Sequence, residues 1–324
     1  MDQRCRLTIL LQLMMGLVVF AGCNADPIDS NGTARLRVVA TTGMIADLVR
    51  KIGGDQIHVE QLIRSGIDPH LYRPVTDDVR SIAGADIVFY NGLNLEGRMI
   101  SILSSSQLRS KRVAVCEKID LPSRSGSENH NSAPSDSDDL HDVDPHCWMD
   151  VSLWIEASRV IEEELINSDN ANHATYRANG NELRERLRAL DERGRAWIGS
   201  IPESRRILIS THDAFRYFGE RYGVRVEGIH GISTASEAGL KRVEELVSLI
   251  VERQVPAVFA ESSTSDKSVR SLMEGAERQG ASVKIGGELF TDSTGPESED
   301  TSTYEGMMSH NFRTITQALG GHVD

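Results

Sequence analysis

Three histidines and one aspartate carry the chemistry legible in this chain. Asp-Pro-His occurs twice, as Asp68-Pro69-His70 and Asp144-Pro145-His146, and each copy opens a stretch of helical character. His212 follows the apolar run Ile207-Leu208-Ile209, and Asp292 follows Glu288-Leu289-Phe290-Thr291, so both stand at strand ends. Imidazole nitrogens suit zinc and also accept manganese, and an aspartate binds through one oxygen or both. The set offers four protein ligands, or five donor atoms with a bidentate carboxylate, and reserves no place for water. Such a site holds a divalent transition metal rather than doing chemistry with it. Taken singly, each histidine reads as an ordinary core or surface residue, and Thr291-Asp292-Ser293 reads as a turn. The repeated tripeptide and the strand-end placement set these four apart.

Ligands this dispersed need a fold that gathers strand ends. Leu36 to Thr42 reads as a strand, and Met44, Ile45, Leu48, Val49 and Ile52 continue at helical spacing until Gly53-Gly54. Strands at 57–62, 87–90 and 112–115 follow, with a helix at 74–83. From Asn172 to Trp197 the pattern is one charged helix with Tyr176, Leu183, Leu187, Leu190 and Trp197 along one side. A second set comprises strands at 207–210, 224–229, 257–260 and 282–285, with helices at 240–252, 269–279 and 304–319. Alternating strands and helices imply parallel βαβ units with ligands at the strands' carboxyl ends. The expected architecture is α/β: two Rossmann-like lobes, residues 35–170 and 201–324, joined by a single long helix within residues 171–200.

Composition narrows the class. The 324 residues are 39% hydrophobic and 26% charged, enough for two folded domains with their own cores. A net charge of −13 argues against a nucleic-acid partner, which requires a basic face. Residues 123–142 are Ser-rich and acidic, contain His130 and His141, and read as a solvated surface loop rather than core.

At the N-terminus, Arg4 and Arg6 precede an apolar run from Leu7 to Phe20, too short to span a bilayer but suited to an export signal. Ala21-Gly22-Cys23 resembles a lipobox, which predicts removal of residues 1–22 and a lipid on Cys23; Phe20 departs from the aliphatic residue usual there. Residues 23–34 then form a tether. Export permits a disulfide between Cys116 and Cys147, although two buried free thiols are the favoured reading, with Cys147 as a ligand the least favoured.

The signatures Gly66-Ile67-Asp68-Pro69-His70-Leu71-Tyr72, Asp144-Pro145-His146-Cys147-Trp148-Met149-Asp150 and Thr211-His212-Asp213-Ala214-Phe215 belong together with three others. These are Gly231 to Gly239, Phe259-Ala260-Glu261-Ser262-Ser263, and Tyr304 to Asn311. In colinear order from Leu36 to Leu319, they resemble the TroA-like receptors, the solute-binding proteins of bacterial ABC importers for manganese and zinc. The resemblance implies metal ligands His70 and His146 from the first lobe and His212 and Asp292 from the second. It implies an ion in the interlobe cleft, a rigid connecting helix that limits hinge motion, and delivery of Mn²⁺ or Zn²⁺ to a membrane permease. The protein is then a monomeric lipoprotein outside the cytoplasmic membrane, and not an enzyme.

Around the ligands, Glu261 is expected to accept a hydrogen bond from a ligand imidazole and fix its tautomer. Asp68 and Asp144 are expected as helix caps, Thr234 and Glu237 as helix-start residues. Trp148 and Trp154 read as core or cleft lining. His58, His173, His230, His310 and His322 read as structural or surface residues. The competing reading is a metal-dependent hydrolase on the same ligands. It needs an open coordination position and a general base, and the chain has no His-Glu-x-x-His motif or Gly-x-Ser-x-Gly elbow. For the ion, three nitrogens favour zinc by intrinsic affinity, while the Asp292 position resembles the manganese type and tips the expectation slightly to Mn²⁺.

Overall fold

Four parallel strands build the first sheet: β1 (Leu36–Ala40), β2 (Ile57–Gln61), β3 (Ile87–Tyr90) and β4 (Lys111–Ala114), in the order β2-β1-β3-β4. In this computed structural model, residues 35–122, 143–235 and 239–324 are described. The export signal, Cys23, the tether, loop 123–142 with His130 and His141, and Glu237 lie outside the described residues. Ile87, Val88 and Phe89 are buried on both faces of the sheet, which is why their run is apolar without alternation. Helix α1 (Gly43–Gly53) buries Met44, Ile45, Leu48, Val49 and Ile52, and Gly54, at φ 54°, ends it. Two short helices follow, α2 (Thr76–Gly84) and α3 (Ile100–Leu103).

Helix α4 (Val151–Ser168) starts at Asp150, whose side chain accepts from the Ser152 backbone N–H. It leads into α5 (His173–Gly199), 27 residues and about 40 Å at 1.5 Å rise. Its buried positions Tyr176, Gly180, Leu183, Leu187, Leu190, Gly194 and Trp197 alternate steps of four and three, a continuous apolar seam. The second lobe holds β5 (Ile207–Ser210) paired in parallel with β6 (Arg225–Gly228), and β7 (Ala257–Glu261) paired with β8 (Lys284–Leu289). Strand β5 packs beside β7. Its helices are α6 (Arg216–Tyr222), α7 (Leu240–Arg253), α8 (Lys267–Arg278) and α9 (Tyr304–Ala318).

The two α/β lobes share more than a linker. Helix α5 packs against α1, α4 and α9, and one core cluster runs from Val38 and Met44 through Leu187 and Trp197 to Phe312 and Leu319. A Cβ on Gly194 would overlap the Phe312 ring. Gly194→Ala is therefore expected to destabilise the fold by about 1–3 kcal/mol, despite alanine's higher helix propensity. Thermal unfolding checks this; a raised Tm would show that Phe312 moves aside freely.

Two differences from the sequence reading have physical causes. Strand β8 runs to Leu289 rather than ending at Ile285, because Gly286 and Gly287 interrupt the apolar pattern where Phe259 and Ala318 press on the backbone. Cys116 and Cys147 form a disulfide rather than two free thiols. The Asn91 side-chain amide donates to the Pro145 carbonyl at 3.0 Å, and the Cys116 N–H donates to the Asn91 carbonyl at 3.0 Å. That clamp holds the Pro145–Cys147 turn against the end of β4.

Candidate metal centre

Parallel strands put the loops after β2, β5 and β8 at carboxyl ends, and those loops carry His70, His212 and Asp292. His146 arrives on the turn that precedes α4. One ligating atom from each of these four lies within 4.8 Å of all the others. His146 Nε2 stands 3.2 Å from His70 Nε2 and 3.3 Å from His212 Nε2. Asp292 turns Oδ1 to His146 Nε2 and Oδ2 to His212 Nε2, each at 3.4 Å. Four ligands at about 2.0–2.1 Å around a tetrahedral ion would be about 3.3–3.4 Å apart, close to these spacings.

Burial makes the arrangement costly without an occupant. His146 and His212 are 0% exposed and Asp292 1%, and the Asp292 oxygens meet no donor other than the His146 and His212 rings at 3.4 Å. A buried carboxylate lacking donors is strongly disfavoured unless a positive charge faces it. His70 is only partly buried, at the rim.

Carboxylates behind two of the rings fix their orientation. His146 Nδ1 donates to Asp144 Oδ1 at 2.7 Å, and His212 Nδ1 donates to Glu261 Oε2 at 2.5 Å. Each bond leaves Nε2, the atom facing the other ligands, as the free donor to a metal. Asp144 also accepts from the His146 backbone N–H at 3.0 Å and from Arg216 Nε at 3.1 Å. The Trp148 indole N–H donates to the Thr291 carbonyl at 2.8 Å, tying the His146 turn to the residue before Asp292.

These contacts set the charges. Burial lowers the His146 imidazole, but the bonds to Asp144 and Asp292 outweigh it and push it up to about 9. His212 is likewise opposed by burial, yet Glu261 and Asp292 raise it well above its ordinary value. Burial pulls His70 down to about 4 against partial opposition from Asp292. Burial would raise Asp292, but the His212 charge and the hydrogen bonds from His146 and His212 hold it well below the usual carboxylate range. Without an ion, the facing carboxylates thus favour protonation of the His146 and His212 rings.

The structure brings together all four expected ligand residues and sets Glu261 behind His212 as anticipated. Trp148 and Trp154 are both buried in the core. It revises the roles of Asp144, Asp68 and Thr234. Asp144 supports the His146 ring rather than capping a helix. Asp68 accepts from the His70 N–H at 2.8 Å and from Thr234 Oγ1 at 2.5 Å, so neither of that pair is helix-start chemistry. An aspartate two residues before a histidine can reach both its N–H groups, a local signal that the Asp-Pro-His repeat already contained. Arg216 escaped the sequence reading because its partnership with Asp144 spans 72 positions.

Glu261→Gln is expected to weaken metal binding about 10–100-fold with the fold intact, as removal of an outer carboxylate does elsewhere. A chelator competition titration measures it; unchanged affinity would mean that Glu261 only fills space.

A largely buried set of three histidines and one aspartate with supporting carboxylates, in a fold of two α/β lobes joined by a long helix, is arranged to hold an ion. The chain belongs to the family of the periplasmic zinc-uptake complex component A, whose model matches residues 38–318. It is 39% identical over 317 residues to the manganese-binding lipoprotein MntA of Bacillus subtilis strain 168, covering 95% of this chain and 99% of that one. It is 36% identical over 320 residues to the zinc-binding protein TroA of Treponema pallidum strain Nichols, covering 98% of each. A solved structure of the periplasmic zinc-binding protein TroA from Treponema pallidum superposes with a TM-score of 0.81 at 37% identity, over 88% of this chain and 99% of that one.

Proposed function

We propose that this protein is the extracytoplasmic receptor of an ABC importer, capturing one Mn²⁺ or Zn²⁺ ion and passing it to the membrane permease. His70, His146, His212 and Asp292 are its ligands, with Asp144 and Glu261 holding two of the imidazoles. The observation that carries this reading is the convergence of four ligand atoms within 4.8 Å around a carboxylate with no other partner. Burial of the set leaves little room for a substrate and a nucleophilic water, which a hydrolase would need.

In this reading residues 1–22 are the export signal and Cys23 carries the lipid that tethers the protein through residues 23–34. Residues 35–170 and 201–324 are the lobes, residues 171–200 the connecting helix, and the receptor works as a monomer. No helix among the described residues is long and apolar enough to cross a membrane. Mn²⁺ is slightly favoured. Asp292 faces two imidazoles with both oxygens, which allows five donors, and the relative MntA is named for manganese. The relative TroA is named for zinc, and zinc has the higher intrinsic affinity for nitrogen ligands.

The test is metal content after stripping with chelator and reloading in equimolar Mn²⁺ and Zn²⁺. One tightly held ion per chain, lost in a His70→Ala, Asp292→Ala protein, is expected, and its identity names the preferred cargo. No retained ion, or the same content in the double variant, would overturn the assignment.

A further inference from the structure

The four ligands are not held equally, and the difference singles out a residue of the second lobe. His146 and His212 are locked by Asp144 and Glu261 from behind, and Asp292 is enclosed between them. No described side chain hydrogen-bonds the outer nitrogen of His70, which sits at the rim. His70 is placed instead through its loop. Asp68 Oδ1 takes the His70 backbone N–H at 2.8 Å, and Asp68 Oδ2 takes the Thr234 hydroxyl at 2.5 Å. The same loop reaches the segment next to Asp292 through Ser65 Oγ to the Thr294 carbonyl at 2.6 Å and Gly66 N–H to Ser293 Oγ at 3.0 Å. All three outside partners belong to the second lobe.

Building on the receptor function, we propose that Thr234 is a positioning residue which, through Asp68, sets how long the site keeps its ion. An ion leaves a closed ligand set only after one ligand swings away. His70 is the ligand that can do so without breaking a bond to a buried carboxylate. Its freedom depends on whether Asp68 remains tied to Thr234. Separation of the lobes, which carries Thr234 away from Asp68, thereby frees the His70 loop in the same movement.

The experiment measures the dissociation rate of Zn²⁺ from the loaded protein by stopped flow into excess chelator, for the parent, Thr234→Val and Thr234→Ser. The hydroxyl bonds a charged acceptor, so its loss is expected to speed release about tenfold or more. Thr234→Ser should restore the parent rate, and zinc content should stay at one ion per chain throughout. An unchanged rate in Thr234→Val overturns the proposal. So does equally fast release from Thr234→Ser, which would place the effect in the methyl group's packing. Thr234→Ala repeats the test should valine disturb the loop's circular dichroism. A parent that binds no zinc would sink the receptor function itself, a result separable from any of these.

Discussion

Metal affinity will fall about ten-thousandfold between pH 7.5 and pH 5.5, and binding will release close to two protons per ion. His146, at about 9, and His212, raised well above its ordinary value, are both protonated across this window when no ion is bound. His70, at about 4, and Asp292, held low, are already free of protons. Entry of the ion therefore expels one proton from each of two rings, and log K rises by about two per pH unit. Four decades correspond to about 5.5 kcal/mol at about 1.36 kcal/mol per unit. Charge conservation gives the same exchange. Asp144, Glu261 and Asp292 face Arg216 and two imidazoliums, and a dication replaces the two protons without changing the balance.

The sign for folding without metal is opposite. The His146 pKa is raised above 6.5 in the fold, so its stabilisation, about 3 kcal/mol, is fully present below about pH 6.5 and is lost as pH rises through about 9. Raising pH from 7 to 9 should thus lower the Tm of the stripped protein while strengthening metal binding. Calorimetry in buffers of differing ionisation enthalpy counts the protons. A count near zero would mean that both rings are neutral before the ion arrives.

The second large effect is on Asp292. Asp292→Asn keeps the volume but removes the charge facing His146 and His212. Metal affinity at pH 7.5 should drop about a thousandfold, in line with about 3–5 kcal/mol for breaking a buried charge pairing. The two rings should also lose part of their upward shift while Asp144 and Glu261 remain, so the pH slope of log K should fall below two near neutrality. The paired signature separates a ligand from a structural residue: a merely structural asparagine would lower stability and leave the slope at two. Competition titrations from pH 6 to 8 read both quantities.

Much of this site could be read from residue types. The two Asp-Pro-His copies and the strand-end positions of His212 and Asp292 pointed to the four side chains before any coordinate, since parallel sheets expose their carboxyl ends together. The seam of α5 was visible because Leu183, Leu187 and Leu190 keep helical spacing over a charged background. Less legible were contacts that depend on tertiary placement. Asp68 and Asp144 share a tripeptide, yet one bonds a hydroxyl of the far lobe and the other supports its own histidine's ring. Nothing local distinguishes them. Likewise the joining of Cys116 to Cys147 depends on Asn91 drawing the Pro145 turn onto the end of β4. Strand β8 extends further than its apolar pattern suggests because its two glycines carry no side chain to signal a strand, and the reason for them lies in the close approach of Phe259 and Ala318.

The most direct measurement is an anomalous difference map from crystals of zinc-loaded mature protein, recorded on both sides of the zinc absorption edge. One dominant peak is expected between the lobes, about 2.0–2.2 Å from Nε2 of His70, His146 and His212 and from a carboxylate oxygen of Asp292. A dominant peak elsewhere, or none where these four side chains meet, would contradict the account.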